Sequence, residues 1–202
     1  MPISFQLFLT IILFSGFYLT GKIIVRFLNL KKALLFVSQP FYQYAVIGIS
    51  IFLFLIYPLF FLEIFTKNIF QFFALFFLIL GFYQIANNYK LIFSRLSKEY
   101  LNFKSLDIVG KLTLILIFLY FLISLCPPTS GDTVAYHLSV SKYILYKGIF
   151  PSNFFDFEAK LAGSGELLNA FALSIQAYQF TSFIQFIGLC SIFGVLTKFC
   201  EE

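Results

Sequence analysis

The amino-acid sequence predicts an all-α fold, namely a polytopic α-helical membrane protein with about five transmembrane helices and an extracytoplasmic loop that contains short interfacial helices. The first observation behind this prediction is composition: the 202 residues are 60% hydrophobic and 11% charged, whereas soluble domains are about half apolar and about a quarter charged. The second is that the apolar residues form long runs, each near the roughly 20 residues that a membrane-spanning helix needs. We therefore expect a bilayer around the chain and no separate soluble domain.

Five apolar runs are long enough to be spans. They cover residues 4–21, 41–64, 69–86, 108–126 and a fifth run inside 177–197. Pro58 falls inside the second run, where a membrane helix tolerates proline because neighbouring groups satisfy the freed carbonyl. The first run has no basic segment before it and no small-residue cleavage site after it, so we expect it to stay as a membrane anchor.

The charges between the runs predict the orientation of the chain. Four basic residues and no acid separate the first two runs, and four basic residues against two acids separate the third and fourth. Basic loops remain cytoplasmic, which puts the N-terminus and segment 127–166 outside, in a multi-pass protein of the cytoplasmic (inner) membrane. The net charge of +5 then follows from topology, and no nucleic-acid partner is expected.

The chain divides at residue 107 into two parts. Residues 1–107 hold three predicted spans with basic cytoplasmic loops, and residues 108–202 hold the fourth span, the loop 127–166 and the fifth span. The stretch 167–197 is too long for one span and contains four amide side chains, so we expect a short surface or re-entrant helix before the true span. The three cysteines show no paired spacing, which indicates neither a disulfide framework nor a zinc site.

The start of the outer loop has the features of a membrane-surface helix with an acid at its leading end. Pro127 and Pro128 cannot continue the fourth helix, and the Thr-Ser-Gly-Asp run after them suits a turn or a helix N-cap. Apolar residues then recur at helical spacing up to Lys147, and Gly148 is a helix stop signal. This helix is too short and too polar to span, so it should lie in the interface.

One string of residues in this loop is distinctive: Pro127-Pro128-Thr129-Ser130-Gly131-Asp132-Thr133-Val134-Ala135-Tyr136-His137-Leu138, followed by Lys142, Tyr143, Gly148 and Glu166-Leu167-Leu168. It resembles the first extracytoplasmic loop of GT-C glycosyltransferases, in particular bacterial members related to protein O-mannosyltransferases and aminoarabinose transferases. The resemblance covers about residues 108–197. It implies a membrane glycosyltransferase, or the N-terminal part of one, that transfers a sugar from a polyprenyl-phosphate donor to an extracytoplasmic acceptor.

The resemblance also implies a catalytic acid and further partners. Family members have an acid a few positions after the helix that leads out of the cytoplasm, and Asp132 matches it, although Gly131 stands where an aromatic residue is usual and three spans precede the loop. The predicted orientation still runs the fourth span outwards, as in the family. Because GT-C enzymes enclose the lipid-linked sugar with additional spans, we expect further membrane subunits or a C-terminal part, and activity of this chain alone stays open.

Asp132 is the candidate catalytic residue. A carboxylate within hydrogen-bond reach of an acceptor hydroxyl takes its proton as the oxygen attacks the anomeric carbon, and the helix N-terminus keeps that carboxylate ionised. An N-cap aspartate without chemistry has the same sequence pattern, so both interpretations remain open.

The candidate substrate-binding residues are Tyr136, His137, Lys142, Glu158 and Glu166. Tyr136 shares a helix face with Asp132. For His137 four alternatives stay open, namely phosphate binding, orientation of an acid, metal ligation and a histidine that simply lies in the interface. A departing polyprenyl phosphate needs a cation. The alternatives are a divalent cation or one of the lysines Lys142, Lys147 and Lys160, although a single histidine predicts no metal site. Glu166 precedes an apolar run and should lie at the membrane surface, behind a flexible Gly-Ser-Gly hinge.

A second class of function also fits the sequence: a non-enzymatic membrane assembly or transport subunit whose outer loop docks a partner. In that case Asp132 only caps a helix. Charged residues within the spans usually mark the pathway of a transporter. The predicted spans hold few of them, which argues against a transporter.

Overall fold

The computed structural model describes residues 2–28, 41–62, 66–105, 107–126, 137–149 and 163–201. The regular secondary structure within these ranges is helical throughout and consists of α1 (Ile3–Phe27), α2 (Phe41–Phe61), α3 (Lys67–Ser105), α4 (Ile108–Ser124), α5 (Leu138–Lys147), α6 (Ser164–Ser174) and α7 (Gln179–Glu201). The predicted all-α fold is thereby confirmed. Each of the five apolar runs coincides with one helix, namely α1 to α4 and α7.

Two helical segments of the described chain are long and apolar enough to cross a membrane: Ser4–Phe27 in α1 and Lys67–Lys90 in α3. Shorter apolar segments are Gln43–Leu59 in α2, Ile108–Ser124 in α4 and Gln179–Phe193 in α7. By length and composition, α1 and α3 are therefore the candidate spans. The count of five spans and the orientation of the chain remain predictions.

The helix α3 continues well past the third apolar run. Residues 87–105, predicted as a basic loop, are part of this helix, so the loop prediction is wrong for that segment. The physical reason is that the segment has no Gly or Pro to end the helix, and it contains three Lys and three Leu, which are strong helix formers. A new helix starts only after Asp107, whose Oδ1 accepts a hydrogen bond from the Gly110 backbone N–H at 2.8 Å and caps α4.

Glycines allow α1 to touch its neighbours backbone to backbone. A Cβ atom at Gly21 would overlap a carbonyl oxygen of α2, and one at Gly48 would overlap a carbonyl oxygen of α1. The helices α1 and α3 meet in the same way through Gly16 and Gly81. Such close approach through small residues is typical of membrane helices, whose association depends on packing rather than on the hydrophobic effect.

The centre of the bundle is filled by phenylalanine rings that surround α6. Phe171 of α6 is fully buried, and its ring lies 4.6–6.3 Å, between centroids, from five rings of α1, α2, α3 and α7: Phe17, Phe52, Phe70, Phe77 and Phe180. Most residues of α6 are buried. This short helix is therefore inserted into the bundle, and its N-terminus is the element that positions the site described next.

Candidate functional site

The described part of the chain contains three of the six residues that the sequence singled out, namely His137, Lys142 and Glu166. The other three, Asp132, Tyr136 and Glu158, lie outside the described residues. The geometry of the site is therefore given by α5, by the N-terminus of α6 and by the ends of α2 and α3 that pack against them.

The helix α5 ends where the sequence predicted a surface helix to end. Gly148 has a φ of 74°, and its N–H donates to the Ile144 carbonyl at 2.8 Å, which is a left-handed cap that glycine adopts without strain. At the other end, the Ser141 hydroxyl donates to the His137 carbonyl at 2.6 Å. The first turn of α5 is thus tied to the backbone of His137.

His137 and Glu166 are in direct contact, although they are 29 positions apart in the chain. The Nδ1 atom of His137 lies 2.8 Å from Oε1 of Glu166, and the side chains are 44% and 9% exposed. A carboxylate on Nδ1 fixes the orientation of the ring and its tautomer. The structure therefore brings together two of the sequence-predicted binding residues, at the start of α5.

The second oxygen of Glu166 is also engaged. Its Oε2 accepts the backbone N–H of Gly163 at 2.7 Å, so the carboxylate reaches back to the residue that precedes α6, in the manner of the acidic half of a capping box. The positive end of the α6 dipole further favours a carboxylate at this position. Glu166 thus clamps the start of α6 to the start of α5 with its two oxygens.

The Gly-Ser-Gly segment before Glu166 is not a flexible hinge, contrary to the sequence-based expectation. Gly163 is the N-cap of α6, and Ser164 and Gly165 form its first turn. The overlooked signal was Glu166 three residues after Gly163, which is the spacing at which an acid stabilises a helix start. The hydroxyl of Ser164 also lies 3.3 Å from that of Tyr57 near the end of α2.

The C-terminal end of α6 is fixed as firmly as its start. The Gln71 amide Nε2 donates to the Ser174 carbonyl at 3.3 Å, and the Ala177 N–H donates to the Ala172 carbonyl at 2.9 Å. Gln176 has a φ of 61°, so the chain turns here before α7 begins at Gln179. The long stretch after Glu166 therefore consists of two helices, the first of them buried in the bundle.

Lys142 lies on the opposite, outward face of α5. It is exposed together with Tyr146 and Lys147, and the ammonium of Lys67, the first residue of α3, lies 5.9 Å from the centroid of the Tyr146 ring. The site therefore has one side on which the nearly buried Glu166 holds the partly exposed His137, and a basic outer side. Within the described residues, no group of three or more His, Cys, Asp or Glu side chains could hold a metal ion.

Comparison with known proteins identifies the family of the chain. A family model described as the DUF1420 N-terminal domain matches residues 88–201, which is more than half of the sequence. No curated protein and no solved structure matches the chain. The matched region begins within α3 and includes α4, α5, α6 and all of α7. The chain therefore belongs to the family described as the DUF1420 N-terminal domain.

Proposed function

We propose that this chain is a membrane glycosyltransferase, or part of one, which transfers a sugar from a polyprenyl-phosphate donor to an acceptor outside the cytoplasm. The observation that supports this proposal best is the 2.8 Å contact between His137 and Glu166. Two residues chosen from the sequence as binding candidates meet at the start of the helix that follows Asp132.

In the proposed reaction, Asp132 is the general base. The acceptor hydroxyl loses its proton to the carboxylate while its oxygen forms a bond to the anomeric carbon of the sugar. The bond between that carbon and the phosphate oxygen breaks on the opposite face, so the configuration inverts and polyprenyl phosphate leaves. Its charge is compensated by a cation near the site, for which Lys142 is the candidate on this chain.

In this proposal, Glu166 and His137 position the loop rather than react. One oxygen of Glu166 already contacts the His137 ring, and the other accepts the Gly163 N–H. The side chain is also nearly buried, which suits a fixed support better than a proton carrier. Since His137 follows Asp132 by five positions, the covalent chain keeps the two Cα atoms within about 18 Å of each other. A fixed His137 therefore limits how far Asp132 can move from the site.

Two contacts bring the junction of α2 and α3 close to α5 and α6, the helices that flank the second half of the loop. Lys67 at the start of α3 lies over Tyr146 of α5, and Tyr57 near the end of α2 contacts Ser164 of α6. The charge pattern predicts the junction of α2 and α3 on the same side of the membrane as the loop 127–166. The contacts between these elements agree with that prediction.

The test is sugar transfer by an Asp132→Asn variant, measured in membranes of the cells that naturally contain the chain, supplied with lipid-linked donor. We expect transfer to fall by at least about 100-fold, the lower bound for loss of a general base. Asp107→Asn is the matched control, because Asp107 caps a helix, as the sequence predicts for Asp132, but lies at the start of α4. Unchanged transfer by the Asp132 variant contradicts the proposal, and so does an equal loss in both variants.

A second candidate function is a non-enzymatic assembly subunit. It is favoured by α4, which packs mainly against α7 and exposes a large part of its apolar surface, including Ile108, Val109, Leu112, Leu116 and Ile123. A partner helix could cover this surface. Two results together would favour this second function. Site-specific cross-linking from Leu116 would capture a membrane protein, and the Asp132→Asn variant would transfer sugar at the wild-type rate.

A further inference from the structure

The outward face of α5 has a composition that differs sharply from its inward face. The inward face packs against α6 and buries Val140, Ser141, Ile144 and Leu145. The outward face exposes Lys142, Tyr146 and Lys147, with Tyr146 72% exposed. This helix is therefore amphipathic, and its polar side is basic and aromatic.

Lys67 of α3 extends this surface. It is exposed, and its ammonium lies 5.9 Å from the centroid of the Tyr146 ring. Lys142 precedes Tyr146 by four residues and so lies beside it on the same helix face. Two positive charges from different helices therefore flank one tyrosine ring. We call Lys67, Lys142, Tyr146 and Lys147 the Lys/Tyr face.

The charges of the Lys/Tyr face are not balanced by the acids whose side chains the structure describes. These acids are Asp107 and Glu166. Asp107 accepts the Gly110 N–H at the start of α4, and Glu166 is nearly buried with both oxygens directed to His137 and Gly163. Lysines held close together repel each other, and an external anion would relieve that repulsion.

The position of Lys67 indicates where that anion would come from. Lys67 is the first residue of the candidate span Lys67–Lys90, so in a bilayer it would lie at the level where the apolar core meets the headgroups. Tyrosine is also enriched at this level, and lysines at a bilayer surface attract the negative charge of anionic lipid headgroups. We infer that the Lys/Tyr face binds the phosphate headgroups of anionic lipids at the bilayer surface.

The test uses the full chain in detergent micelles, to which phosphatidylglycerol or phosphatidylcholine is added at equal mole fractions. Amide hydrogen exchange in α5 reports binding. We expect phosphatidylglycerol to slow this exchange and phosphatidylcholine to leave it unchanged. The triple variant Lys67→Gln, Lys142→Gln, Lys147→Gln should need at least about tenfold more phosphatidylglycerol for the same protection, since each lysine near an anionic surface contributes about fivefold in affinity.

The matched control is Lys22→Gln, Lys90→Gln, Lys111→Gln, which removes the same net charge from other parts of the chain and should keep the wild-type response. The conservative triple arginine variant of the Lys/Tyr face should keep it as well, and normal exchange in α1 verifies that each variant is folded. Equal loss in the control variant, equal protection by phosphatidylcholine, or equal protection by inorganic phosphate overturns the inference.

This inference requires that the chain lies in a bilayer, but it does not require sugar transfer. A chain that binds phosphatidylglycerol through the Lys/Tyr face and shows no effect of Asp132→Asn contradicts the proposed function alone. A chain that transfers sugar in an Asp132-dependent manner without lipid selectivity contradicts this inference alone.

Discussion

The three-helix unit α1–α3 and the pair α5–α6 are held together by different physical means. The first unit depends on backbone contact at glycines such as Gly21 and Gly48 and on buried phenylalanine rings. The second unit also buries apolar side chains, among them Val140 and Ile144 of α5, but it adds a polar link, since Glu166 connects the N-terminus of α6 to His137. The comparison teaches that apolar packing builds the scaffold, whereas a polar clamp orients the loop to which the candidate chemistry belongs.

The helix α6 belongs to both arrangements. Phe171 packs among rings of the scaffold, and Glu166, five positions earlier, forms the clamp. A change at Phe171 should therefore weaken the scaffold, and a change at Glu166 should loosen only the loop. The following predictions test that separation.

The largest loss of stability is expected from Phe171→Ala. Removing a fully buried ring leaves a cavity between α1, α2, α3 and α7, and we expect the free energy of unfolding to fall by about 4 kcal/mol. Denaturant unfolding in mixed micelles measures the change. The control is Phe72→Ala, because the Phe72 side chain is 69% exposed, and it should change stability by about 0.5 kcal/mol or less. Similar losses in the two variants would argue against a packed aromatic centre.

Gly48→Ala should have the next largest effect. The added methyl group would overlap the Phe17 carbonyl of α1, and because backbone atoms cannot move aside cheaply, we expect a loss of about 3 kcal/mol in the same unfolding assay. Gly188→Ala in α7 is the control: a Cβ atom added there would meet no other atom within 4 Å, so alanine should stabilise the helix by about 1 kcal/mol. Tolerance of alanine at Gly48 would show that α1 and α2 are not in backbone contact.

Glu166→Ala should cost less and act locally. It removes the acceptor for the Gly163 N–H and the partner of His137, which together are worth about 2 kcal/mol. Hydrogen exchange should accelerate at the starts of α5 and α6 and stay unchanged in α1–α3.

A double-mutant cycle with His137→Ala isolates the contact between the two side chains. The coupling free energy should be about 1 kcal/mol. Strictly additive effects of the two changes, or faster exchange throughout α1–α3, would refute the idea of a local clamp. Glu166→Gln keeps an oxygen acceptor for Gly163 and should lie between wild type and alanine.

The helices were largely predictable because each apolar run is long enough to form a helix. Gly148 ends α5 as its sequence context indicates. The extension of α3 through residues 87–105 was missed because charge suggested a loop, whereas the local helix propensity decides the backbone conformation. The glycine contacts could not be predicted at all, since a close approach depends on which helix lies opposite.

The candidate site was predictable residue by residue but not as a geometry. The sequence identified His137 and Glu166 separately, yet a contact across 29 positions depends on the insertion of α6 into the bundle, which no local pattern encodes. In the proposed function, Glu166 supports the loop, whereas the sequence made it a candidate for substrate binding. Asp132, Tyr136 and Glu158 lie outside the described residues, so their roles stay predictions.

The central claim is that the scaffold provides stability and the loop provides chemistry. The most direct test measures sugar transfer per folded chain for Gly48→Ala and Asp132→Asn in parallel. We predict that Gly48→Ala lowers the amount of folded chain and keeps the wild-type rate per folded chain. Asp132→Asn should keep the amount of folded chain and lower that rate at least about 100-fold. Transfer at the wild-type rate per folded Asp132→Asn chain would contradict the claim.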